Sequence, residues 1–252
     1  MMELNLNLFL TFSWLFLSAS LLLFGTWVLI DCQINYSIIN RILQYFYLKE
    51  KPAKQCDISK SYFINFYIIA LCINLILFLL NFSSFLLFLL FLLHISRRLY
   101  ECIYVHQYSF QTTIDYFYYF LRLFHYPCVG FTIIIDYKYS STNLTIFNYF
   151  LALILFFNAS YIQYNVHLTL AKQLHSIPNH YWLFNSFTFP NSLAEIAIYI
   201  SFYIASYRTS AMASLMLWIF LNQSLSTLLS HRWYYSHKSY STKRCILIPF
   251  IL

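Results

Sequence analysis

Glu195 lies near the start of an otherwise apolar, membrane-length run that opens PNSLAEIAIYIS at Pro190. A carboxylate at membrane depth is expensive, and by default it marks a functional site with a partner. The ordinary alternative is an acid that favours the positive end of a helix dipole. Asn191 stands four residues earlier and falls on the same helical face. An amide and a carboxylate stacked one turn apart match the needs of a carboxamide or a ribose hydroxyl. The next apolar run ends in His231, with Tyr234 three residues on. Trp233, Tyr234 and Tyr235 read as an interfacial aromatic belt. That reading leaves the shared face of His231 and Tyr234 unexplained.

Two further polar sets interrupt apolar runs. In HISRRLYE, Arg98 and Glu101 are three residues apart and can pair across one turn. A buried Arg can also hold a phosphate with two parallel hydrogen bonds. The plain reading of Arg97 and Arg98 is a pair of anchors at the membrane edge, which suits one of the two. Gln163 and His167 form an i, i+4 pair in a later segment. The chain has only 2 glycines and no glycine-rich phosphate loop. A nucleotide must therefore be held by side chains between helices. The 6 cysteines form neither a CxxC pair nor a metal-ligand spacing, so they read as apolar filler and no metal is expected.

The elements that must position these groups are set by composition. Of 252 residues, 61% are hydrophobic and 9% are charged. Soluble domains carry about 25% charged residues, so this chain cannot cover a water-facing surface. The expected class is all-α, a multi-pass membrane bundle. Seven spans are legible: about Leu4–Ile30, Tyr62–Leu80, Phe85 into the RRLYE stretch, Tyr116–Asp136, Ile146–Leu174, Ser192–Ser206 and Ser210–Ser230. The first is too long for a signal-peptide core and lacks a basic leader, so it reads as an uncleaved span. Residues 1–61 form that span and a basic loop; residues 62–252 form the rest of the bundle and a short basic tail, in a single domain. Most bases, including Arg41, Lys49, Lys51, Lys54, Arg97, Arg98, Lys172, Arg232 and Arg244, fall on one side of a seven-span count. The positive-inside rule then makes the C-terminus cytosolic and the N-terminus lumenal. The sequon at Asn143 falls on the lumenal side. The net charge of +7 is thus read as topology, and no nucleic-acid partner is expected.

Taken together, PNSLAEIAIYIS, LSTLLSHRWYYSHKSYSTKRCILIPFIL and RRLYECIYVHQYS, with Tyr126–Gly130 and Gln163-Tyr164–His167, resemble the steroid 5α-reductase family, in its polyprenol (polyprenal) reductase branch. The likeness runs from about residue 60 to the C-terminus. It implies a seven-helix membrane bundle with a cytosol-facing cavity for NADPH. It places Arg98, Gln163, His167, Asn191, Glu195, His231 and Tyr234 around that cofactor, with Arg244 from the basic tail. Tyr67, Glu101 and His231 are the catalytic candidates, with Tyr67 or a nearby polar group of the second or third helix as the donor. The chain departs from the pattern at Asn65, where a His is usual, and at Ser192, where an aromatic is usual.

The implied reaction is reduction of the α-isoprene double bond of a long-chain polyprenyl lipid for dolichol synthesis and protein N-glycosylation, in the endoplasmic reticulum membrane. An allylic alcohol has no electron sink, whereas an α,β-unsaturated aldehyde can take hydride at its β carbon. Polyprenal is therefore expected ahead of polyprenol. Two alternatives stand beside it. One is a sterol or enoyl-lipid reductase of the same fold. The other, suggested only by the Phe-, Tyr- and Ile-rich composition, is a non-catalytic subunit of an organellar complex.

Overall fold

The computed structural model describes residues 6–20, 57–59, 62–81, 84–105, 113–139, 144–172 and 189–237. Seven helices lie among them: α1 (Leu6–Ser20), α2 (Phe63–Leu80), α3 (Phe85–Tyr104), α4 (Tyr116–Lys138), α5 (Ile146–Lys172), α6 (Pro190–Ala205) and α7 (Ser210–His237). Two of these are long and apolar enough to cross a membrane by length and composition, Ile146–Lys172 and Ser210–Leu228; Leu6–Ser20 and Ile64–Leu80 are shorter apolar helices.

The helix limits follow from local chemistry. Pro190 sits in the first turn of α6, where its fixed φ suits a helix start and its missing N–H costs nothing. At the end of α2, the Asn81 side chain donates to the Leu77 carbonyl at 3.1 Å. The α7 helix runs past the expected end at Ser230 to His237, because no Pro or Gly stands between them to stop it. One element differs in kind from the sequence reading. Within the basic loop before α2, Asp57–Ser59 forms a strand, β1, antiparallel to β2 at Thr113–Asp115. Three-residue strands are too short to show an alternating pattern. The remainder of residues 21–61, Asn143 of the sequon and the basic tail after His237 lie outside the described residues.

The core runs through Phe88, Phe91 and Ile95 of α3, Ile133 of α4, Ile198 and Phe202 of α6, and Leu215 of α7, all fully buried. The α5 and α6 helices pack most extensively. The outer face of α5 leaves Phe147, Phe150, Ile154, Phe157 and Tyr161 exposed. A continuous apolar stripe of that length is a lipid-facing surface rather than a watery one. Inside, polar knots lock the helices, as bundles in lipid require. Asn74 of α2 donates to the Tyr126 carbonyl of α4 at 3.3 Å, beside the in-helix Pro127. Gly130 lets that amide in, since a Cβ there would collide with the Asn74 side chain.

At one end of the bundle Asp136 of α4 accepts from the Tyr207 N–H at 2.7 Å, the Thr209 N–H at 3.0 Å and the Thr209 hydroxyl at 2.8 Å. It thereby fastens the tight turn between α6 and α7, in which Arg208 adopts a positive φ of 61°. Asp136 had read from sequence only as a helix end. The opposite end of α3 and the start of α6 carry the cluster described next.

Candidate functional site

On α3, His94, Arg97, Arg98 and Glu101 are spaced i, i+3, i+4, i+7 and therefore share one face. That face meets Gln163 and His167 on the later turns of α5, and Asn191 and Glu195 on the first turns of α6. Glu101 is fully buried and is the hub. One carboxylate oxygen receives Arg97. The other receives Arg98 at 2.7 Å and His167 Nδ1 at 2.8 Å. His167 Nδ1 also lies 3.0 Å from Arg98 Nη1, within the same knot.

Arg97 also donates to the Gln163 side-chain carbonyl, and Gln163 Nε2 donates to Glu195 at 2.6 Å. Glu195 Oε1 lies 3.5 Å from His94 Nε2, an ion-pair separation longer than a good hydrogen bond. Arg98 sits over the Tyr67 ring, 5.8 Å from its centroid, within cation–π range. Two guanidinium groups are thus matched by two carboxylates in a buried network. Removing one member of such a network is costly because its partner is left charged and desolvated.

Three buried polar atoms in this cluster have no hydrogen-bond partner: His94 Nε2, Arg97 Nε and Asn191 Oδ1. Two can donate and one accepts. Orphaned polar atoms in a buried network call for an explanation, and a bound group that supplies the missing partners is one.

A cleft opens beyond Glu195, between α1, α4 and α7. The cavity volume within it is about 90 Å³, and it opens to the outside. Its walls include Trp14, Leu17, Phe124 and Trp218, and its polar lining includes Arg122, His125, Glu195, Asn222 and Gln223. The Trp14 and His125 rings meet edge to face, 5.8 Å apart.

The structure therefore brings together Tyr67, Arg98, Glu101, Gln163, His167, Asn191 and Glu195 of the sequence-derived set. His231 is half-buried on the last turns of α7. The side chain of Tyr234 and the whole of Arg244 lie outside the described residues. Two cluster members escaped the sequence reading. Arg97 is not a lone anchor but binds Glu101 and Gln163, and His94 was passed over. Their signal was present, since extending the Arg98–Glu101 face back one turn reaches both. Asn65, at the position where a His is usual, is exposed on α2.

Residues 128–252 match the family described as 3-oxo-5-alpha-steroid 4-dehydrogenase. The chain is 29% identical to the polyprenal reductase of Ailuropoda melanoleuca over 195 residues, covering 68% of this chain and 61% of that protein. It is 29% identical to the polyprenal reductase of Homo sapiens, covering 77% of this chain and 78% of that protein. Against the polyprenal reductase of Saccharomyces cerevisiae the identity is 29%, over 79% of this chain and 77% of that protein. The chain thus spans about three fifths of the first relative's length and over three quarters of the other two.

Proposed function

We propose, from its likeness to the 3-oxo-5-alpha-steroid 4-dehydrogenase family over residues 128–252, that this chain reduces the α-isoprene double bond of a polyprenal with NADPH. The observation that carries the reading is the buried Arg97–Glu101–Arg98 hub, linked through Gln163 to a Glu195 that faces an apolar-walled cleft. The match to a reductase family displaces the non-catalytic organellar subunit considered above.

The residues fit a nicotinamide cofactor. Arg97 Nε and Asn191 Oδ1, which have no hydrogen-bond partner, and His94 Nε2, held only at 3.5 Å by Glu195, offer donors and an acceptor, the complement of a carboxamide. Arg98, Gln163, His167 and Glu195 would complete the grip, with His231, Tyr234 and Arg244 joining from the C-terminal side. When bound, the cofactor supplies the hydride. The chain supplies orientation: Glu101 fixes both guanidinium groups and His167, and we assign it a positioning role. Tyr67 supports Arg98 through its ring. The apolar cleft walls take the first isoprene units, and the rest of the tail leaves through the mouth into the bilayer.

The substrate follows from electron flow. An aldehyde conjugated to the α double bond accepts negative charge on its oxygen as its β carbon is reduced, and a positioned donor stabilises that oxygen. An allylic alcohol lacks this sink. We read the seven helices as a spanning bundle in the endoplasmic reticulum membrane, with the Arg97 end cytosolic. The gathering of Arg97, Arg98 and Lys172 at that end supports the orientation.

The test uses purified full-length chain in detergent, supplied with NADPH and, separately, polyprenal, polyprenol and a 3-oxo-Δ4 steroid. Mass spectrometry should find the saturated aldehyde as the main product. Faster saturation of the alcohol with no aldehyde intermediate, or preference for the steroid, would refute the assignment. A thermal shift with NADPH alone reads cofactor binding independently of turnover.

A further inference from the structure

We propose that His125, backed by Tyr199, is the catalytic donor that delivers a proton to the substrate carbonyl in the cleft. This rests on the polyprenal reading above. His125 lines the cleft beside Glu195. Its Nε2 lies 3.2 Å from the Tyr199 hydroxyl. Tyr199 is 2% exposed and stands one helical turn beyond Glu195 on α6. The ring of His125 is held between Trp14 at 5.8 Å and Tyr126 at 5.2 Å, both edge to face. A donor must be held in place to act on a developing charge, and these contacts hold it.

The other candidates are engaged elsewhere. Both Glu101 oxygens accept from Arg97, Arg98 and His167. Tyr67 does not line the cleft, and its hydroxyl shares a hydrogen bond with Tyr126. Arg122 lines the cleft, and its charge can favour an oxyanion, but a guanidinium does not give up a proton. The product needs one.

The geometry gives a balanced step. We assign the Tyr199 O–H as the donor across this 3.2 Å contact, which puts the neutral imidazole's own hydrogen on Nδ1. Hydride from the reduced nicotinamide forms the new C–H bond at the β carbon, and the alkene electrons shift toward the carbonyl oxygen. The Nδ1–H bond breaks as the O–H bond of the enol forms. Nε2 takes the Tyr199 proton in the same movement; a solvent proton then returns to Nδ1 and the Nε2 proton passes back to the Tyr199 oxygen, so both residues end as they began. The enol then becomes the saturated aldehyde with no net change in protons. The nicotinamide is oxidised and the double bond reduced.

The experiment uses full-length chain in detergent. Binding is read as quenching of tryptophan fluorescence by citral, a short α,β-unsaturated prenal, since Trp14 and Trp218 line the cleft. Turnover is read with NADPH and polyprenal. His125→Gln keeps a polar side chain but cannot relay a proton. It should lower kcat about 100-fold and leave the citral Kd within about twofold. Tyr199→Phe should lower kcat about tenfold, less than the roughly 100-fold loss of the donor itself, because water can resupply the ring. The double variant should be no worse than His125→Gln, as expected of residues acting in one relay. Unchanged kcat in His125→Gln overturns the proposal, as does parallel loss of kcat and citral binding. So does a Tyr126→Phe variant that loses turnover while His125→Gln keeps it. Wild-type protein that binds citral but never saturates polyprenal would instead refute the polyprenal reading itself, and this donor with it.

Discussion

Gln163 of α5 donates its amide to Glu195 of α6 at 2.6 Å, while its carbonyl accepts from Arg97 of α3. One neutral side chain therefore ties three helices and separates a guanidinium from a carboxylate that faces the cleft. Gln163→Leu keeps the volume and removes both bonds. NADPH affinity should fall between about tenfold and a hundredfold, the range for lost hydrogen bonds to charged groups. Isothermal titration would check it, and an unchanged Kd would remove Gln163 from the grip.

Glu101 is the sole carboxylate among the described residues bonded to both Arg97 and Arg98. Glu101→Gln leaves two guanidinium groups with Glu195 as the one remaining carboxylate of the network. Breaking a buried pair costs about 3–5 kcal/mol, so thermal unfolding in detergent should show a large drop in midpoint. Arg97→Met should be milder, because Arg98 and His167 still occupy Glu101. Equal losses in the two variants would contradict the hub.

Gly130 and Asn74 are a packing pair across α2 and α4. Gly130→Ala should destabilise the bundle by about 1–3 kcal/mol, the range for overpacking. Asn74→Ala opens room for the new methyl, so the double variant should recover part of the loss. A double-mutant cycle with no coupling would mean the clash is relieved by backbone shifts instead.

The turn between α6 and α7 yields opposite predictions for neighbouring residues. Asp136→Ala strips three hydrogen bonds from Tyr207 and Thr209 and should cost about 1.5–3 kcal/mol. Arg208 is exposed with φ at 61°, so Arg208→Gly should stabilise by about 1 kcal/mol through relief of left-handed strain. Both are read as shifts in unfolding midpoint. Neither should change NADPH affinity, since the turn lies at the far end of the bundle.

The sequence alone determined the class, the positions of the helices and most of the polar residues that gather at one end. It could do so because 61% apolar content and the interruptions at Glu195, Gln163 and Arg98 are local facts. Helical periodicity converts such facts into shared faces within one helix. It carries nothing about which faces of different helices meet. Only the tertiary structure decided that Gln163 stands between Arg97 and Glu195, that Asp136 holds a turn some seventy residues away, and that His125 meets Tyr199 at a cleft floor. Those contacts depend on how α3, α4, α5 and α6 rotate against one another. That rotation is fixed by packing of Phe91, Ile133 and Phe202 in the core and by close approaches such as Asn74 to Gly130.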